Sequence, residues 1–177
     1  RAQGNHQAEA EHCRAMLSHM RAIGHRYYEA VALNNLSLAC SALGQYGPAI
    51  DASEQALDIF RQINHQHGQV ISLLNLSSRY KTTGQLDKAR GALTEGLPLA
   101  RELSLADDEA RMLSSLAELL TNSGQYDAAG QALERAEEIA RVLGSVYLLA
   151  TIHNRAGELA LATGTHDRAV ELFEQSL

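Results

Sequence analysis

Tryptophan is absent, proline and cysteine each occur twice, and aromatic residues make up only 5% of the 177 positions. So little proline leaves long helices open, because proline inside a helix removes a backbone donor and clashes with the preceding turn. Two cysteines, Cys13 and Cys40, cannot build the disulfide framework of a small secreted domain. Both fall on apolar faces and read as small buried thiols in a reducing compartment. No apolar run approaches the ~20 residues needed to span a bilayer. No basic segment followed by an apolar one opens the chain, so no signal peptide is visible. A cytoplasmic protein without membrane contact is expected. Positive charge is also in short supply, and the net charge is −6. That opposes a nucleic-acid groove, which needs basic groups to offset phosphates.

Chemistry is missing too. The chain has no Gly-x-x-x-x-Gly-Lys-Ser/Thr loop, no His-Glu-x-x-His, no Cys-x-x-Cys and no Gly-x-Ser-x-Gly. His65 and His67 flank Gln66, and His12 and His19 share one helix, but neither pair reaches the four ligands zinc usually takes. Asp107-Asp108 and Glu137-Glu138 read as solvated, dipole-matching charges. No enzyme, no metal and no cofactor are expected.

What is present is a repeat. Gly44-Gln45-Tyr46-Gly47-Pro48-Ala49 returns as Gly84-Gln85-Leu86-Asp87-Lys88-Ala89 and as Gly124-Gln125-Tyr126-Asp127-Ala128-Ala129. Gly164-Thr165-His166-Asp167-Arg168-Ala169 is a looser copy, and Gly4-Asn5-His6 a degenerate one. The interval is 40 residues each time. A fixed period of ~20–50 residues marks a stacked array of supersecondary units. With 45% hydrophobic and 20% charged residues the chain should fold. The units are expected at about 4–43, 44–83, 84–123 and 124–163, with a partial one at 164–177, in a single array. The chain begins at Arg1 and stops at Leu177 inside a helical pattern, which leads us to expect a piece of a longer protein.

Each interval reads as two helices. Leu33, Leu36, Cys40 and Leu43 are spaced three, four and three apart, the stripe of an amphipathic helix. The same reasoning predicts helices at 5–23, 26–43, 47–63, 67–83, 87–103, 107–123, 127–143, 147–163 and from 167. Glycine after each first helix is suited to a left-handed stop. Ala49, Ala89, Ala129 and Ala169 allow close helix approach. Arg21, Arg61, Arg101 and Arg141 end each second helix, where they either meet the negative end of the helix dipole or form a basic row for an acidic partner. Gly91, Gly96 and Pro98 predict a kink or π-type irregularity near 94–98.

The Gly-x-Tyr-x-x-Ala element, with Asn35-Leu36-Ser37, Asn75-Leu76-Ser77 and Ser115-Leu116-Ala117 upstream, resembles the tetratricopeptide repeat (TPR). Gly157, Ala56, Ala136 and, loosely, Gly96 fill further small positions of that pattern. The family's usual period is about 34, so both helices are longer here, and the arginine column replaces its inter-repeat proline. Such long repeats are similar to those of kinesin light chains, polarity adaptors and bacterial signalling regulators. The resemblance implies an all-α fold: a right-handed superhelical α-solenoid of about nine helices in antiparallel pairs, whose first helices line a concave groove.

The groove face is then expected to carry Asn34, Asn35 and Leu38; Leu74, Asn75, Ser78 and Lys81; Arg111, Ser114, Ser115, Glu118 and Asn122; and Asn154, Arg155 and Glu158. Asparagine both donates and accepts, so Asn35 and Asn75 in one column could grip successive peptide groups. They could also be merely solvated. One TPR subset clamps a C-terminal carboxylate with Lys and Asn; Asn75 and Arg111 match two of its places, while Asn34, Leu38 and Ser115 do not supply the rest. The expected function is a protein-interaction module binding a peptide or helix, regulatory or scaffolding within a larger protein. The alternatives are self-association through Val170, Phe173 and Leu177 of the last helix, and a small-molecule sensor domain of a bacterial signalling or transcription regulator.

Overall fold

The computed structural model describes residues 2–176, with side chains from Asn5 onward. Among these residues there are nine α-helices and no strand. They are α1 (Ala2–Ala22), α2 (Arg26–Ala42), α3 (Tyr46–Gln62), α4 (Gln66–Thr82), α5 (Leu86–Glu102), α6 (Ala106–Asn122), α7 (Tyr126–Leu143), α8 (Val146–Ala162) and α9 (His166–Gln175). From α2 onward the boundaries fall within one residue of those predicted. The first helix starts earlier and runs through Gly4, so the degenerate copy there makes no turn.

Every later break is the same device. Gly44, Gly84, Gly124 and Gly164 have φ of +72°, +75°, +74° and +77°. The residue after each glycine donates its N–H to the carbonyl five positions back: Gln45 to Cys40 at 2.9 Å, Gln85 to Tyr80 at 2.8 Å, Gln125 to Leu120 at 2.9 Å and Thr165 to Ala160 at 2.8 Å. This is the left-handed stop of a Schellman turn. The breaks after second helices use it too, but Asn64 and Ser104 replace glycine in two of the four, at φ +54° and +56°. The sequence hides these turns because the glycine column is interrupted there.

The chain gathers into two compact units, divided between Leu99 and Ala100 within α5. In the first, α1 packs on α2, α2 on α3 and α3 on α4, and α2 also touches α4. Its core joins Leu17, Ala30, Leu33, Ala52, Ala56, Ile59 and Phe60. In the second, α6 packs on α7, α7 on α8 and α8 on α9, with α6 also against α8. Ala49, Ala89, Ala129 and Ala169 are all fully buried. With no side chain beyond Cβ, each lets a neighbouring backbone come close.

Pro98 produces no π segment, and α5 is α-helical from Leu86 to Glu102. Pro98 and Thr94 both lie on the exposed face, so the carbonyl deprived of its partner faces water.

The arginine column is neither a free basic row nor a simple dipole match, because each arginine has a carboxylate. Arg21 Nε donates to Glu29 at 2.9 Å, and Arg101 Nε to Glu109 at 2.9 Å. Arg61 pairs with Glu95, and Arg141 with Glu137. Glu29 and Glu109 are buried. Burial alone would raise the Glu29 pKa, but hydrogen bonds from Arg21 and Arg26 and their charges outweigh it and hold the carboxyl below its usual range. A lowered folded pKa means stability that is fully present above the unfolded value of about 4.3 and is lost as pH falls through the folded one. Glu29→Gln should cost about 1.5–3 kcal/mol at neutral pH and flatten the acid limb of melting temperature against pH. An unchanged acid limb would contradict this account.

Candidate functional site

The first helices of the hairpins are α2, α4, α6 and α8, and the structure sorts their candidate residues into three kinds. Some are sealed in the core. Asn34, expected on the groove face, is 6% exposed. Its Nδ2 donates to Ser72 Oγ at 3.0 Å, and Ser72 Oγ donates back to Asn34 Oδ1 at 3.2 Å. The pair staples α2 to α4, and burial keeps the amide turned into the core rather than toward a ligand. Leu74 and Ser114 are also buried. An amide beside a serine of the next hairpin is satisfied internally, and a column read by polarity alone cannot reveal that.

Others reach the surface, wholly or in part, but are already paired. In the second unit Arg155 bonds Glu118 at 2.8 Å and Glu158 at 2.9 Å. Arg111 lies 3.6 Å from Asp108 and 3.9 Å from Asp107. Ser115 joins Arg111, Arg155 and Thr151 around a cavity of about 110 Å³. Asn122 and Asn154 are exposed. Each arginine of this cluster is shared between two carboxylates. On the last helix Val170 is exposed, but Phe173 is half-buried. It covers Gly157, where an added Cβ would come within 2.6 Å of its ring. Leu177 lies outside the described residues.

The third kind lies on α2 and α4. Asn35, Leu38 and Ser78 are exposed, and Lys81 and Asn75 are half-buried. The buried Asn75 Nδ2 has no hydrogen-bond partner among the described residues. One turn on stands Arg79, which the column analysis passed over. It is 6% exposed; among the described residues its Nε is unpaired, and its Nη1 donates to the Asn75 carbonyl at 3.3 Å. Burial pushes its guanidinium pKa below the usual range. The signal was present in the sequence: the same column holds Ala39, Leu119 and Leu159. An arginine alone among aliphatic residues at a core position is an anomaly. Buried polar groups are nearly always paired, so two orphaned donors on adjacent turns are unusual. The face can supply donors to a carbonyl or a carboxylate.

Left-handed turns closing helix hairpins at a 40-residue spacing define an α-helical repeat protein. The tetratricopeptide repeat family model matches residues 1–62 and 108–177, and the chain belongs to that family. The intervening stretch, 63–107, carries Asn75, Arg79, Gly91, Gly96 and Pro98. Comparison with curated proteins finds no match in sequence. Among solved structures, the chain is similar to a kinesin-light-chain-type protein of Podosopora anserina with nearly identical TPR-like repeats. The TM-score is 0.77 at 20% identity, covering 99% of this chain and 88% of that one. It is similar to BtubC (BKLC) of P. vanneervenii, with TM-score 0.76 at 18% identity, covering 99% and 71%. It is also similar to MamA, with TM-score 0.66 at 18% identity, covering 93% and 84%. These likenesses are of fold. Folds of this family generally mediate protein–protein interaction and are typically non-enzymatic scaffolds. No described helix is long and apolar enough to cross a membrane.

Proposed function

We propose that the α2–α4 face binds a peptide segment of a protein partner, as a regulatory or scaffolding part of a larger protein. The observation that carries this reading is the pair of buried, unpaired donors, Asn75 Nδ2 and Arg79 Nε. A folded chain gains nothing from leaving them unmet, since each costs about 1–3 kcal/mol. Both atoms are covered, so an extended peptide reaches them by displacing the side chains above, and it then offers main-chain carbonyls to both. Asn35 and Asn75 then donate to successive peptide groups, and Leu38, Ser78 and Lys81 form the rim. The second unit contributes less, because Arg155, Glu118 and Glu158 are already joined.

A library of immobilised synthetic peptides, spanning acidic, basic and neutral sequences, tests the proposal. The native chain should select a subset. Asn35→Ala with Asn75→Ala should weaken the selected peptides about 10-fold or more, at roughly 1 kcal/mol per hydrogen bond, while leaving helicity by circular dichroism intact. Equal binding by native and doubly substituted protein would remove the reading.

A further inference from the structure

In the second unit a cleft of about 350 Å³ opens between α7, α8 and α9. Leu133, Ile152, Ala156, Ala160 and Leu172 line its apolar part, and Glu134 stands at its edge. Its lining can be compared with the first unit through the 40-residue register. Counting back two intervals, Gly130 stands where Ile50 does, Ala156 where Leu76 does, and Ala160 where Tyr80 does. Three bulky side chains have become small at neighbouring places, while Ile152 for Ser72, Leu133 for Ser53 and Leu172 for Ala92 add bulk at others. The equivalent groove of the first unit, lined by Leu76 and Tyr80, is open to about 370 Å³, so the difference between the two lies in which groups line them rather than in volume.

The first unit shows a tyrosine on the wall of the equivalent groove. Tyr80 is 7% exposed and its hydroxyl donates to Glu54 Oε1 at 2.5 Å. Lys88 Nζ lies 5.2 Å from its ring centroid. Desolvation, helped by Glu54, raises its phenol pKa, so the hydroxyl stays a donor. Glu134 is the register equivalent of Glu54, and Arg168 that of Lys88. Both line the cleft. Among the described residues Glu134 has neither hydrogen bond nor ion pair, and it is exposed. The second unit therefore keeps the acceptor and the cation but lacks the phenol.

We infer that this cleft takes the side chain of a tyrosine from a partner polypeptide. The ring lies over Ala156 and Ala160 between Leu133 and Leu172, and its hydroxyl donates to Glu134. Arg168, which also pairs with Glu171 at 2.8 Å, supplies the cation toward the ring. Charge at the rim argues for the same occupant. Asp127, Glu134 and Glu137 outnumber Arg168 there, and Glu137 is tied to Arg141 and His153. The remaining acidic character complements a neutral donor and repels phosphate. Phosphorylation of the incoming tyrosine would thus close the site to it. The cleft shares no residue with the α2–α4 face, so either reading can fail while the other stands.

Methyl-detected NMR titration of the whole chain with p-cresol and with N-acetyl-tyrosinamide tests this. Saturable shifts are expected at Leu133, Ile152, Ala160 and Leu172. Toluene should bind about 10-fold more weakly than p-cresol, for want of a hydrogen bond to a carboxylate. Phenyl phosphate should cause no shift. Glu134→Ala should erase the preference for p-cresol over toluene. Ala160→Tyr should fill the slot and abolish the shifts; Ala156→Leu, a smaller intrusion, provides the same readout if that variant does not fold. Absence of saturable shifts at these methyls overturns the inference. So does binding that survives both fillings, or phenyl phosphate or n-butylammonium binding as well as p-cresol.

Discussion

Gly68→Ala is expected to destabilise the first unit by about 2 kcal/mol or more, against the usual direction of that change. In most helices alanine for glycine gains about 1 kcal/mol. Here a Cβ would stand 2.3 Å from Phe60 Cδ1 and 2.5 Å from its Cγ and Cε1. The ring has no room to retreat. It is 2% exposed, with Tyr27 6.1 Å and His65 5.4 Å away between ring centroids. Overpacking of a filled core costs about 1–3 kcal/mol through forced rotamers and backbone shifts, and the backbone is pinned as well, since Gly68 N–H donates to His65 Nδ1 at 3.0 Å. Urea unfolding monitored by circular dichroism measures the loss. Adding Phe60→Leu to Gly68→Ala should recover part of it, which Phe60→Leu alone should not do for the native chain. Gly91→Ala is the control, because nothing lies within 4 Å of its added Cβ. If Gly68→Ala is as stable as the native chain, the packing account is wrong.

Arg79→Leu should make the chain more stable and a poorer binder. The position is buried, and its column is otherwise Ala39, Leu119 and Leu159. A guanidinium without a carboxylate carries its full desolvation cost into the folded state. Replacing buried charged groups by apolar residues of similar volume is often neutral or stabilising by about 1–4 kcal/mol. We expect a gain in that range in thermal or urea unfolding. The same variant should lose the peptides that the native chain selects, because the donor is removed. Arg79→Lys separates the two effects: it keeps a charge but lacks the planar fork, so it should restore neither the stability of leucine nor the binding of arginine. A variant that is less stable than the native chain would mean the guanidinium has favourable partners after all.

Much of the fold was legible because it rests on periodic features. Glycine past a helix end, alanine at a close approach and leucine at three-and-four spacing are each dictated by local geometry, and a 40-residue register repeats them. Asn64 and Ser104 show the limit of that reading. They adopt the left-handed turn that glycine makes at Gly24 and Gly144, and their identity does not announce it. The candidate site was less legible because pairing is a property of space. Asn34 and Asn35 are adjacent and chemically identical, yet one is bonded to Ser72 across two helices and the other is exposed. Arg79 was a departure from its column rather than a member of a pattern. Attention to what repeats passes over such a residue, and attention to what breaks the repeat finds it.

The ion pairs of the arginine column carry one more implication. Arg21 with Glu29 and Arg101 with Glu109 are the same bond, 80 residues apart, while Gln69 and Leu149 occupy the intermediate places. The backbone repeats every 40 residues, but its ion pairs do not, since the other two arginines of the column reach Glu95 and Glu137 at unlike places of the register. The two buried pairs each close within eight residues, so a hairpin excised elsewhere would leave each buried glutamate with the arginine it already has.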